Sequence, residues 1–338
     1  MNPVLVAVLR ALAALGLMLA NGVVLIYMLR KVLGHMHVRL GPNRVGPFGL
    51  LQTTMDVIKL LTKEDVMASS VDKWLFRLAP LMVFVPAFMA YLALALSPTW
   101  RFSNLDGGLL YLFAVLSLVP IGIVIAGWAS NSKWSLIGGM RAAGQQIAYE
   151  VPLLLSVLGI VLMSGTLNMT DIVRSQQGLW LGFLPRWYIF PQFPAFLLFM
   201  VAGLAELNQT PFDMSEAESE LISGFANEYS GMKFGFMFLA EFSNSFIIAA
   251  LATTLFFGGW LIPGLERNAL ALQLGPIVFM IKTYIGIFVL MWIRGTLPRV
   301  RVDQLLALGW KRLIPMSLAW VMLTGVIIKL PSLFGGVG

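Results

Sequence analysis

The chain has 338 residues, of which 59% are hydrophobic and only 12% charged, with a formal net charge of +7. Soluble domains carry roughly 25% charged residues, so this composition excludes a soluble globular protein and indicates an integral membrane one. There is no cysteine and there are two histidines, His35 and His37. Disulfides and cysteine-held iron–sulfur clusters are therefore excluded, and a bis-His haem or zinc site is poorly supplied with ligands.

The first apolar run, after "MNP", is too long for a secretory signal and lacks a basic start, so it is expected to be a retained helix. Eight spanning helices are predicted at 4–29, 77–97, 109–130, 147–165, 191–209, 236–258, 274–294 and 312–331 from apolar windows of about 20 residues. The fold class is thus an all-α integral membrane protein, a single membrane domain over 1–338. The first loop, 30–76, opens with "RLGPNRVGPFG", whose Gly and Pro suit a tight ordered turn. "LLQTTMDVIKLLTKED" then has the period of an amphipathic helix. Gln52, Asp56, Lys59 and Lys63 form one narrow polar stripe, opposite Leu51, Met55, Ile58 and Leu61. Such a helix either lies on lipid headgroups or sits half-buried between lipid and a docked protein.

Pro120 interrupts the third span and should kink it. The fourth and fifth spans carry Glu150 and Glu206, each toward one end, the sixth Glu241 near its start, and the seventh Lys282. Of the 23 Lys and Arg, 16 lie in or at the edges of the first, third, fifth and seventh loops and 4 in the others. The positive-inside rule then places the odd loops in the cytoplasm and both termini on the outer face.

A charge inside a bilayer is costly and usually functional. Three acids at similar depth, Glu150, Glu206 and Glu241, point to a proton relay, the plain alternative being helix-packing residues with satisfied carboxylates. Between two of them runs an acidic loop, 205–235, containing "AELNQTPFDMSEAESE" with five acids and no Lys or Arg. Pro211 stops the fifth helix, and Ser215 with Glu218 forms a capping-box pattern. In the helix that would follow, Glu216 and Glu220 share a face. Carboxylates so close share protons rather than all ionise. In the seventh loop Arg294, Arg299 and Arg301 cluster outside a helix end. They suit phospholipid headgroups, or, with Arg30, Lys31, Arg39 and Arg44, a polar mouth or an acidic partner surface.

Four stretches, "RLGPNRVGPFGLLQ", "GWASNSKWSLIGGMRAAGQQIAYEV", "AELNQTPFDMSEAESELISGFANEYSGMKF" and "PRVRVDQLLALGWK", occur in order between about residues 30 and 312. Together they resemble the H subunit family of bacterial respiratory complex I, the counterpart of mitochondrial NADH dehydrogenase subunit 1. The resemblance implies a non-autonomous subunit of an NADH:quinone oxidoreductase-type translocase in the bacterial inner membrane. It would form part of the quinone tunnel and start the carboxylate path toward antiporter-like subunits. Its partners would be quinone-module subunits of the peripheral arm, small membrane subunits and the antiporter-like subunits. Quinone would be the substrate, and FMN and iron–sulfur clusters would reside only in partner subunits. By motif position Glu150, Glu206, Asp213, Glu216, Glu218, Glu220, Glu228 and Glu241 would be the proton or coupling carboxylates, joined by Tyr149 and Lys282. Arg30, Arg39, Asp56, Lys59, Arg294 and Arg299 would line or brace the quinone path and docking surface, and Phe225 would face the quinone tail. Two positions depart from the pattern: Leu29 where many relatives have an acid, and Gln209 where an Arg often stands.

Two other classes fit parts of the pattern. A self-contained proton-coupled transporter would use the same acids and Lys282, but the chain lacks the matched broken helices of inverted repeats. The membrane subunit of an energy-converting hydrogenase is a further alternative, and the full acidic loop with its "EYSG" continuation favours the quinone-linked branch.

Overall fold

Proline and glycine decide where the apolar runs start and stop. The computed structural model of the chain describes residues 3–180, 184–214, 224–264 and 269–334. Helix α1 (Pro3–Met36) is followed by the Gly/Pro-rich turn, α2 (Gln52–Thr62) and α3 (Lys73–Ala93). In that turn Gly49 has φ 79°, and a Cβ there would lie 2.2 Å from the Pro42 carbonyl oxygen, so only glycine fits. Asp72 caps α3 by accepting a hydrogen bond from the Trp74 amide at 3.2 Å, satisfying one N–H that a helix start leaves open.

The break predicted at Pro120 is present. The third apolar run is two helices, α4 (Gly108–Leu116) and α5 (Val119–Ala129), with Pro120 in the first turn of α5. There its missing N–H costs no intrahelical bond. Helix α6 (Lys133–Ser164) ends at Gly165, whose φ of 69° is left-handed. Helix α7 (Met169–Arg174) and a short antiparallel pair, β1 (Leu179–Trp180) and β2 (Leu184–Pro185), lead to α8 (Phe193–Glu206). A 3-10 turn at Gly224–Ala226 precedes α9 (Gly231–Phe256) and α10 (Ala269–Thr296). Helix α11 (Val302–Leu308) continues through a π-helical turn, Gly309–Leu313, into α12 (Ile314–Phe334).

Among the described residues seven helical segments are long and apolar enough to cross a membrane, and the remaining predicted span is the shorter α8. Its 14 residues reach about 21 Å against a hydrocarbon core of about 30 Å. The predicted range 191–209 is longer because the run is apolar to Leu207 apart from Gln192 and Glu206, but Asn208 takes a positive φ of 51° and ends the helix.

Three further boundaries differ from expectation. Helix α6 starts at Lys133 rather than near 147, because "KWSLIGGMRAAGQQ" is helical without being strongly apolar. Its glycines let neighbours approach: a Cβ on Gly139 would meet the Ile123 carbonyl oxygen at 3.0 Å, and one on Gly138 would meet Gly224 at 2.8 Å. Small residues at such contacts are how helices associate in lipid. Glu150 therefore lies in the middle of a helix and not near its start. Helix α10 likewise begins before 274, which puts Lys282 midway along it, and α1 runs past Arg30, so that residue is helical.

Helix α5 packs between α3 and α6; α6 also meets α8 and α12, and α9 meets α3 and α10. Tyr91, Tyr149, Phe199, Phe246 and Phe256 are buried between them. Helix α2 turns Gln52 and Asp56 toward α1, where Asp56 pairs with Arg30 and accepts from Gln52 Nε2 at 3.2 Å. Its apolar residues Leu51, Met55, Ile58 and Leu61 face outward. The narrow polar stripe is thus real, but it points partly inward.

Candidate functional site

Carbonyls at the C-terminus of α8 lack an i+4 helical amide. Two adjacent amides on α6 meet them: Gln145 Nε2 donates to the carbonyls of Ala205 and Phe212, both at 2.7 Å, and Gln146 Nε2 donates to that of Glu206 at 3.2 Å. The chain then reverses at Asn208 and docks on the segment before α11. The Val300 amide donates to the Pro211 carbonyl at 3.0 Å, and Arg299 Nη2 donates to Asp213 Oδ2 at 3.0 Å.

This docking closes one side of a cavity of about 160 Å³. Its polar lining is Gln146 from α6, Glu206 and Asn208 from the end of α8, and Glu241 and Asn244 from α9, with Phe225 among the apolar walls. Glu206 Oε2, Gln146 Oε1, Asn208 Oδ1 and Asn244 Oδ1 are buried, and none has a hydrogen-bond partner among the described residues. All four are acceptors, so each needs a donor, which a water or a protonated carboxyl supplies. The volume accommodates several waters.

The acids continue beyond the cavity in both directions. Glu150, one helical turn from Gln146, is the electrostatic neighbour of Glu206. Glu241 lies 3.6 Å from the Arg294 guanidinium and has Gln209 and Asp213 as further polar neighbours. Gln209 is held in turn by its own donation to Ser245 Oγ at 2.8 Å. The order through the molecule is Glu150, Glu206, cavity, Glu241, Asp213, with a guanidinium beside each of the last two. The predicted grouping of the three membrane acids is therefore present as geometry.

Other expected site residues lie elsewhere. The Tyr149 hydroxyl donates to the Leu305 carbonyl at 2.8 Å and its ring packs 5.9 Å from that of Phe212, so it fixes α11 rather than lining the cavity. Lys282 donates to the carbonyls of Phe257, Gly259 and Leu261 at 2.8, 3.0 and 2.9 Å, and its Nζ stands 4.6 Å from the Trp187 ring. It caps the C-terminal end of α9, about 22 Å along the helix from Glu241 at 1.5 Å per residue. Arg30 and Asp56 form their ion pair between α1 and α2, while Arg39 and Lys59 are exposed. Glu228 is half-buried just before α9. Glu216, Glu218, Glu220 and the capping residue Ser215 lie outside the described residues.

Where the chain enters α9, a second cluster fixes the first loop. Tyr229 stacks on Phe76 at 4.1 Å, Lys233 pairs with Asp65 at 2.7 Å, and the Val66 amide donates to Ser230 Oγ at 3.2 Å. Burial pushes the Tyr229 phenol above its ordinary pKa. Sequence reasoning did not anticipate Gln145, Gln146, Asn208 or Asn244. The spacing of Gln146 and Glu150, four residues apart on one helix face, was the signal available.

Comparison with known proteins gives the family. The chain is 48% identical over 306 residues to the NADH-quinone oxidoreductase H subunit of Brevibacillus brevis, covering 90% of this chain and 88% of that one. It is 49% identical over 299 residues to the protein of that name from Geobacillus kaustophilus, with 88% and 86% covered. With the Geobacillus thermodenitrificans protein it shares 48% over 328 residues, 96% of each chain. A family model described as NADH dehydrogenase matches residues 9–325. The chain therefore belongs to the NADH dehydrogenase family that includes these H subunits.

Proposed function

We propose that this chain is the H-type membrane subunit of a quinone-reducing, proton-pumping NADH-quinone oxidoreductase, and that its carboxylates begin the path that couples the two activities. The observation that carries the proposal is the shared cavity of Glu206 and Glu241, with Glu150 and Asp213 beyond it on either side. Reducing a quinone to a quinol takes two electrons and two protons. The electrons would come from carriers in partner subunits, because this chain has no cysteine to hold a cluster. When a proton leaves one of two neighbouring carboxyls, the remaining charge raises the affinity of the other for its own proton. A row of such pairs passes a charge change along as a sequence of proton shifts.

Arg294 and Arg299 fit this role by holding Glu241 and Asp213 in partnership with fixed positive charge. Phe225, on the cavity wall, would separate the acids from an apolar quinone tail. The Arg30–Asp56 pair would brace α2 at the tunnel mouth, and Arg39 and Lys59 would face the docked redox arm together with the acids Glu216, Glu218, Glu220 and Glu228. Eight crossings of the inner membrane, both termini outside, quinone-module, small-membrane and antiporter-like partners, and FMN and clusters held by partner subunits complete the reading.

The test uses the assembled complex in membranes with Glu206→Gln and Glu241→Gln. Each is expected to lower NADH:quinone reductase activity and proton uptake together by roughly a hundredfold, the lower range for losing a proton-transfer group. Electron transfer from NADH to a soluble acceptor should stay unchanged as a check on assembly. Normal turnover and pumping in both variants would overturn the role of the cavity. Proton flux by the purified chain alone would overturn the subunit reading in favour of a transporter.

A further inference from the structure

On the face that carries the first and third loops, three spanning helices end at one level with tryptophan and base side by side. Helix α3 begins Lys73-Trp74 and carries Arg77 one turn on, α5 ends near Trp128, and α6 begins Lys133-Trp134. Trp74 is 84% exposed and Trp128 66% exposed, and Lys133 Nζ stands 5.2 Å from the Trp134 ring centre. Between these ends lies an open cleft of about 710 Å³ lined by residues including Asp72, Trp128, Asn131, Ser132 and Lys133. It is a built feature, since the Asp72 amide donates to the Ala129 carbonyl at 3.1 Å and Asn131 Nδ2 donates to that of Ser70 at 3.0 Å. Asp72 is the only carboxylate among the described lining residues, and it is engaged as the cap of α3. Lys73, Arg77 and Lys133 are exposed and have no carboxylate partner among the described residues.

Away from the cleft the surface becomes aliphatic. Trp74 is continued along one face of α3 by the exposed Leu78, Leu81 and Val85, and Trp128 of α5 is preceded two turns earlier by the exposed Ile121. We propose that this corner is a binding site for an anionic phospholipid, its phosphate held by Lys73 and Lys133 at the cleft and its acyl chains laid along the α3 and α5 faces. A basic mouth between helix ends with an apolar wall below it matches both parts of such a lipid. A protein interface would be depleted in lysine at its core, whereas interfacial tryptophan beside lysine is the composition of a bilayer boundary.

The test is native mass spectrometry of the full-length chain released from detergent with equal amounts of phosphatidylglycerol and phosphatidylcholine. Two lysines near an anionic headgroup correspond to a preference of about tenfold or more for the anionic lipid. The pair Lys73→Gln with Lys133→Gln should bring the two lipids to near parity, and Lys73→Arg with Lys133→Arg should keep the preference. Equal retention of both lipids by the wild-type chain, or a preference that survives the Gln pair, would overturn the site. In the assembled complex a photo-crosslinking residue placed at Trp128 should label lipid. Capture of another subunit there would make the corner a protein contact and overturn the proposal independently of how the variants fold.

Discussion

Glu241 and Asp213 sit beside each other and each has its own guanidinium, Arg294 and Arg299. Four charges this close behave as a unit, so single substitutions should not add. Asp213 is the more buried member of its pair, and its Oδ1 has no partner among the described residues, so losing Arg299 leaves a carboxylate with little compensation. We expect Asp213→Asn and Arg299→Gln each to reduce quinone reductase activity, and the double variant to lose less than the two combined. The coupling should be about 0.5–3 kcal/mol, the range for residues sharing one network. Additive losses in that double-mutant cycle would show that the two side chains act separately despite their 3.0 Å contact. Gln209 belongs to the same unit through Ser245 and Glu241. A neutral amide there leaves Arg294 as the cation in contact with Glu241 among the described residues.

At the scale of elements, the site depends on how α8 ends. Gln145 supplies two short hydrogen bonds to the Ala205 and Phe212 carbonyls, which also accept from the Asn208 and Met214 amides, and Gln146 one longer one to the Glu206 carbonyl. Replacing Gln145 with Leu keeps the volume and removes two short bonds, each worth about 0.5–1.5 kcal/mol, while the Ala205 and Phe212 carbonyls keep the Asn208 and Met214 amides. The thermal unfolding midpoint of the solubilised chain should fall for Gln145→Leu; an unchanged midpoint would mean that the turn is held elsewhere. The same region shows what a sequence can and cannot reveal. Hydropathy found the apolar helices and the break at Pro120, because length and proline act locally. It missed the first turns of α6, where Gly, Ala and Gln are helical through close packing, and it overran the end of α8, which a positive φ at Asn208 sets. The membrane acids stood out because their charge is anomalous there. Their amide neighbours Gln146, Asn208 and Asn244 did not, since neutral polar residues raise no such alarm. The pairing of Arg299 with Asp213 spans 86 residues of sequence, which no local pattern encodes. Tyr149 and Lys282 are the opposite case: their chemistry marked them, and the fold uses both to tie down backbone carbonyls.

At the scale of the whole molecule, the 14-residue α8 decides the number of crossings. Contacts at the start of α9 bear on it through parity. Asp65 and Val66, in the first loop, bond Lys233 and Ser230, so the first loop and the start of α9 share one face of the membrane. From that loop α3 leads away, the α4–α5 pair returns, and α6 leads away again. The chain can begin α9 beside the first loop only if the segment between them comes back, and α8 is the one apolar helix there among the described residues. That favours eight crossings, with the segments 187–192 and 207–211 completing the depth that 14 residues lack. The chain has no cysteine, so single cysteines can be placed at exposed loop positions and labelled with an impermeant maleimide. Cysteines at Asn43 and Asn227 should react only from the cytoplasmic side, in inside-out vesicles. Cysteines at Asp106 and Gln177 should react only from the opposite side. Labelling of Gln177→Cys and Asn227→Cys from the same face would mean that α8 turns back within the membrane. The count would then be seven, the termini would lie on opposite faces, and the basic loop before α11 would lose its place on the cytoplasmic side.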